Sequence, residues 1–253
     1  MIQHNSALLD RIAAVLGAAP FLADHLARVP AALEGLLSPA GVDQDAARTL
    51  TGRLADARSL EDTLAITRRE VRAEEFRLCV AQMEGWMDVD QAGAARTRLA
   101  DAALSALLPA VLADHRARYG AVRGGDMAVV ALGKAGSREM MAGSDLVLIY
   151  TPPPGVAEST GRRSIPSSQW FIRAAHAYVA ALTAPGMEGA LYDVDMRLRP
   201  SGNKGPVAVS LAAFQRYHAQ DAWTWERMAL TRARVVAGGP AVCARVERAI
   251  AEA

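Results

Sequence analysis

Two short apolar runs, Asp126–Leu132 and Asp145–Tyr150, bracket a glycine-rich turn, Gly133-Lys134-Ala135-Gly136-Ser137, and this arrangement constrains the fold more than any other stretch. Short β-branched runs bounded by turn signals read as buried strands. The turn between them is expected to lead into a helical turn through Met141. A third strand is expected over Gly189–Arg197, where Leu191-Tyr192-Asp193-Val194-Asp195 again mixes apolar and β-branched residues.

Before Gly120 the texture is helical throughout. Leu8, Leu9, Ile12, Val15 and Leu16 recur at three- and four-residue steps until Gly17 closes the run. A short helix is expected near Phe21–Arg28, and Pro30 opens another ending around Leu37. Ser38-Pro39-Ala40-Gly41 is a turn, and a further helix covers about Asp43–Ala57. Ser59 ahead of Asp62 forms part of an N-cap box for a long helix to about Met87, with Leu64, Val71, Leu78 and Met83 as its packing seam. An alanine-rich helix follows over Gln91–Arg118.

Beyond the second strand, Pro152, Pro153, Pro154 and Pro166 keep Thr151–Ser168 from regular structure. A helix is expected near Gln169–Thr183, and extended chain from Pro200 to about Val209. Ser210 caps a helix, and two more cover about Ala222–Val236 and Pro240–Ala251. The reading is an α+β fold: a helical N-terminal subdomain over 1–120, then a small mixed sheet with helices over 121–253.

Composition narrows the function. About half the residues are apolar (51%), yet no stretch approaches the ~20 uninterrupted apolar residues of a membrane span. Met1-Ile2-Gln3-His4-Asn5 does not begin a secretory leader. Cys79 and Cys243 lack CxxC spacing and are expected to be buried, reduced thiols, which points to the cytoplasm. A net charge of +1 with interspersed acids and bases argues against a nucleic-acid substrate. Arg68 and Arg69 are answered by Glu70, Glu74 and Glu75, the pattern of a solvated, salt-laced helix face.

Handling a triphosphate has two physical requirements. Backbone N–H groups must approach phosphate oxygens, which favours small residues at a strand-to-helix turn. Divalent cations must neutralise charge, which needs carboxylates converging from neighbouring strands. Gly133–Ser137 suits the first; Gly143-Ser144-Asp145 and Asp193-Val194-Asp195 suit the second. Acids that merely cap strands and turns would give the same residues. Asp193 and Asp195, two apart, are expected on one side of their strand.

The order and spacing of these elements resemble the nucleotidyltransferase superfamily. Leu191–Gly202 is similar to the signature of glutamine-synthetase adenylyltransferases, Gly133–Glu139 with Gly143-Ser144-Asp145 to that family's first motif, and Ala222–Arg234 to its third. The Trp223-Thr224-Trp225-Glu226 form resembles the adenylylating copy of these bifunctional enzymes. The resemblance implies a nucleotidyltransferase-type sheet that transfers AMP from ATP to a tyrosine hydroxyl of glutamine synthetase with Mg²⁺, by two-metal in-line attack, in the control of nitrogen assimilation. It implies a PII-type signal protein as a partner of the full-length enzyme, and a parent chain continuing with helices after Ala253.

By the same resemblance Asp145 and Asp195 are metal ligands, with Asp193 as assistant or proton acceptor. Gly133, Lys134, Gly143 and Ser144 are expected at the triphosphate, although Lys134 equally suits a solvated lysine beside a turn. Of Arg197 and Arg199, one is expected to steady pyrophosphate and the other to pair with an acid such as Glu226. Trp223 and Trp225 are expected as core anchors, Tyr150 and Tyr192 as packed strand residues, and His115, His176 and His218 as non-ligands. The sequence departs from the family at Val147, where a second metal-ligating Asp is expected, and more mildly at Ala135. A valine cannot bind Mg²⁺. The alternative is therefore a degraded site that keeps the fold and binds nucleotide or a partner only.

Overall fold

The two long helices of the N-terminal half start at side-chain caps. The computed structural model describes residues 6–18, 23, 26, 27, 30, 46–141, 144–152, 155–162, 164–187 and 189–253; at Ser6, Ala7, Leu8, Arg11, Val15, Ala18, Ser144 and Asp145 it describes the backbone alone. The helices expected near 21–28 and 30–37, and the turn at 38–41, lie largely outside these residues. Helices α1 (Ser6–Ala18) and α2 (Ala46–Leu54) come first. α3 (Leu60–Met83) begins where Ser59 Oγ accepts the Asp62 N–H at 3.0 Å. It stops short of Met87 because Gly85 takes φ +71° and the Trp86 amide folds back onto the Ala81 carbonyl. α4 (Val89–Tyr119) opens with a reciprocal box between Asp88 and Gln91 and ends at Gly120, φ +73°.

The sheet is centred on β1 (Asp126–Ala131) and β2 (Ser144–Thr151), which pair antiparallel. Between them the glycine turn forms a single helical turn, α5 (Gly133–Gly136). α6 (Ser167–Thr183) follows the proline-rich loop. β3 (Val194–Asp195) and β4 (Ala208–Ser210) both run parallel to β2, one along its start and one along its end. α7 (Leu211–Gln220) is capped by Ser210, and α8 (Thr224–Leu230) leads into β5 (Arg234–Gly238), antiparallel to β1. α9 (Pro240–Ala251) starts at its proline, as expected.

Strand alternation sorts the core into two layers. Met127, Val129, Ala131, Leu146, Leu148 and Tyr150 pack with Leu104, Leu107 and Val111 of α4 and with Trp170, Phe171 and Tyr178 of α6. Ala128, Val130, Val147 and Ile149 pack on the opposite face with Phe214 of α7 and Val242 and Val246 of α9. With both faces covered, β1 and β2 are apolar through Met127–Ala131 and Leu146–Tyr150. Because α4 contributes directly to the first layer, the helical half and the sheet share one core.

Several expectations need correcting. The third strand is Val194–Asp195 rather than Gly189–Arg197: the amides of Leu191 and Tyr192 both donate to the Leu182 carbonyl, which diverts the chain from strand pairing. The extended stretch after Pro200 contains a 3₁₀ turn, Gly202–Lys204. The helix expected over Ala222–Val236 covers only Thr224–Leu230, and its last three residues belong to β5, since β1 offers an open edge there. Cys79 and Cys243 are free but half-buried rather than buried. The arginine-rich face of α3 is only partly solvated. Arg69 meets Glu70 near the surface, but Arg68 donates to the Ala184 carbonyl at 3.0 Å, supplying a donor at the end of α6. Glu75 is held by Arg96 at 3.1 Å, and its burial raises the carboxyl above its ordinary range.

Candidate active site

The parallel pairing of β2 with β3 sets Ser144 beside Val194 and Asp145 beside Asp195 in register. Positions in register on adjacent strands lie on the same face of a sheet, so these two acid-bearing positions meet at the start of β2. An open cleft of ≈ 850 Å³ lies beside Asp195. Gly133 and Lys134 of the glycine turn line one side, Asp193, Asp195 and Met196 another, and His176 and Val179 of α6 a third. Asn203, Val207 and Arg232 complete it.

Asp195 is the best-defined acid of the site. Its carboxylate accepts the Arg197 backbone N–H at 2.8 Å and the Arg197 Nε–H at 2.7 Å. The Arg197 guanidinium and these hydrogen bonds hold its carboxyl below the usual carboxylate range, so it is anionic at neutral pH. Asp193 is exposed and precedes the strand. Arg197 is thus the acid's partner. Arg199 faces the neighbouring loop instead, donating to the carbonyls of Met196 at 2.7 Å and Pro206 at 3.1 Å. Neither arginine's described bonds reach Glu226. That buried carboxylate accepts the Tyr217 hydroxyl on both oxygens, at 2.9 and 3.0 Å, and the Trp223 N–H at 2.9 Å.

The glycine turn is seated by close backbone packing. Gly133 takes φ +53°, which favours glycine. A Cβ on Gly136 would lie 1.9 Å from the Arg232 carbonyl oxygen, so no larger residue fits there without moving the chain. Ala135, within the turn, is buried. Gly143 lies outside the described residues, and Ser144 is placed by its backbone pairing alone.

Val147 is 2% exposed, enclosed by the second apolar layer with Val130 opposite it in register. Trp223 and Trp225, expected in the core, are 70% and 56% exposed: the short α8 buries Glu226 and Leu230 and turns the indoles outward. Tyr150 stacks on Phe171 at 4.7 Å, and Tyr192 is buried, as expected. Its hydroxyl has no partner among the described residues, and burial raises its pKa well above the tyrosine norm. His115 donates through Nε2 to the Trp170 carbonyl at 3.1 Å, and His218 is buried against Phe214.

The cleft also gathers three polar residues to which the sequence assigns no site role: His176, expected as a non-ligand, Asn203 and Arg232. Arg232 belongs to the Ala222–Arg234 motif, whose sequence reads as helix, whereas it stands in the turn before β5. His176 and Asn203 carry no local signal, since only the return of α6 and the 3₁₀ turn brings them to the cleft.

The donor set suits one hard cation. Mg²⁺ takes oxygen ligands, with one or two carboxylates supplemented by phosphate oxygens and water. Asp195 is an ionised carboxylate, Asp193 lines the same cleft, and position 145 adjoins Asp195. Among the described residues no group of three His, Cys, Asp or Glu side chains is gathered for a metal. Val147 contributes no donor toward a second cation.

An α+β domain with a glycine turn between two central strands, and acid-bearing positions in register on adjoining strands, is a nucleotidyltransferase-type fold. A family model for glutamate-ammonia ligase adenylyltransferase matches residues 9–249. The chain belongs to that family. It is 40% identical over 258 residues to a bifunctional glutamine synthetase adenylyltransferase/adenylyl-removing enzyme of Mesorhizobium japonicum, covering 99% of this chain and 26% of the relative. It is 41% identical over 254 residues to an enzyme of the same description from Brucella suis, covering 98% and 26%, and 40% identical over 259 residues to one from Rhizobium meliloti, covering 100% and 26%. The chain therefore spans about a quarter of the length of these relatives. No described helix is long and apolar enough to cross a membrane.

Proposed function

We propose that the chain carries an adenylyltransferase centre that moves AMP from ATP to a tyrosine hydroxyl of glutamine synthetase. The observation that supports it best is the register that sets position 145 beside Asp195, which lines a cleft shared with Gly133 and Lys134. The tyrosine oxygen attacks the α-phosphorus, the bond from that phosphorus to the bridging oxygen of pyrophosphate breaks, and the phenolic proton is released. Asp193, exposed at the cleft, is the acceptor for that proton. Lys134 and Arg232 supply positive charge for the phosphates, with Gly133 leaving the backbone open to close approach. Asp195, kept anionic by Arg197, and Asp145 would hold Mg²⁺, which neutralises phosphate charge when bound.

A second reading, binding without transfer, is favoured by one observation: Val147 is sealed in an apolar layer, so position 147 offers neither charge nor an oxygen donor. Incubating the chain with α-phosphate-labelled ATP, Mg²⁺ and glutamine synthetase separates the two. Label on a tyrosine, lost with Asp195→Ala, supports transfer. Retention of Mg²⁺-ATP with no label on the protein supports binding alone. Neither label nor nucleotide affinity would refute both.

A further inference from the structure

The glycine turn is held from behind by a charged clamp. Arg234, the first residue of β5, donates through Nη2 to the Ala135 carbonyl at 2.9 Å and through Nε to the Gly136 carbonyl at 3.3 Å. The same guanidinium forks onto Asp101 of α4, Nη1 to Oδ2 at 2.7 Å and Nη2 to Oδ1 at 3.0 Å. All three of its nitrogens are engaged, and both side chains are mostly shielded, at 21% and 29% exposure. The absence of a side chain at Gly136 lets the 232–234 segment lie directly on the turn.

We infer that Asp101 and Arg234 are positioning residues that fix the glycine turn, and with it Gly133 and Lys134, for the nucleotide. The inference rests on the nucleotide reading of the cleft. Stability alone is a poor account of the arrangement, since a shielded ion pair is often no better than apolar packing. What the planar fork supplies is geometry: it ties two carbonyls of a one-turn segment to the 31-residue helix α4, which is itself packed on α3, α6 and β5. Lysine keeps the charge but cannot bridge a carboxylate and two carbonyls in one plane. The helical half thereby becomes part of the site rather than a separate support.

The test compares Asp101→Asn and Arg234→Lys with the native 253-residue chain, and uses Asp114→Asn as a control. Asp114 pairs with Arg118 on the same helix, away from the turn. Hydrogen–deuterium exchange of peptides covering 132–141 reads the turn directly, and titration with Mg²⁺ and a fluorescent ATP analogue reads the site. We expect about tenfold faster exchange confined to the turn, and about tenfold weaker nucleotide binding, in both clamp variants at a Tm close to the control's. Unchanged exchange at the turn, or acceleration spread evenly over β1 and α4, overturns the clamp. Faster exchange at the turn in a chain whose native form binds no nucleotide leaves the clamp's geometry standing. It overturns the nucleotide reading, and with it the purpose assigned to the clamp.

Discussion

Replacing Val147 with Asp puts back the residue type anticipated by resemblance, and the structure gives its cost. Val147 is 2% exposed among Ala128, Val130, Ile149, Val209 and Phe214. Removing the valine forfeits about 2 kcal/mol of apolar burial. A protonated carboxyl left there without a partner adds ~2 kcal/mol. Keeping it protonated at pH 7, some three units above its ordinary value near 3.9, adds about 4 kcal/mol more. The folded-state pKa is thus raised, so the variant is most stable below about pH 4 and loses stability as pH rises toward that raised value. Urea denaturation followed by far-UV circular dichroism should show a loss of about 4 kcal/mol at pH 4 and up to about 8 kcal/mol at pH 7, a large share of a typical domain's ~5–15 kcal/mol. Val147→Asn, which cannot ionise, should lose similar amounts at both pH values. If Val147→Asp costs under ~1 kcal/mol at pH 7, the side chain at 147 reaches water or the cleft. The case for a sealed, donor-free position would then fail.

Other perturbations test other parts of the fold. Gly136→Ala must displace the Arg232 carbonyl and should lower stability by over ~3 kcal/mol, whereas Gly52→Ala in α2, with nothing within 4 Å of an added Cβ, should raise it by ~0.5–1 kcal/mol in the same thermal melts. Trp225→Ala should change the urea midpoint little, as the indole is 56% exposed, while Glu226→Ala leaves the Trp223 N–H and the Tyr217 hydroxyl without their acceptor and should cost ~2–3 kcal/mol. Burial lowers the pKa of His115 and His218, so stability is complete above about 6.5 and falls as pH drops toward their folded-state values. His218→Phe should flatten that acid limb, and an unchanged slope would place the titration elsewhere. The Asp195 carboxyl is depressed by Arg197, so its stabilisation is present above about pH 3.9 and fades below; with 31% of the side chain exposed, Asp195→Asn should cost under ~1 kcal/mol at pH 7, measured by urea denaturation.

Much of the architecture was legible because its signals are local. Ser59 and Ser210 cap helices through their own side chains, Pro240 opens the last helix, and the short β-branched runs around the glycine turn are the strands β1 and β2. The misread segment, Ala222–Val236, shows where locality ends. Arg234–Gly238 is a strand because β1 has a free edge, a fact of pairing rather than propensity. Trp223 and Trp225 were placed in the core on residue type, yet a seven-residue helix buries only one side, and here that side carries Glu226 and Leu230.

The candidate site divides along the same line. By itself the sequence determined which residues could carry the chemistry: the turn with Gly133 and Lys134, and the acids Asp145, Asp193 and Asp195. It also exposed Val147 as the break in that pattern. Only the tertiary structure decided that Asp145 lies in register with Asp195, that Arg197 is spent on Asp195, and that Val147 is closed into an apolar layer. It alone brought Arg234 and Asp101 behind the turn from far along the chain. The physical reason is range: caps, turns and periodicity act over a few residues, whereas register, burial and ion pairing depend on which distant surfaces come to lie against one another.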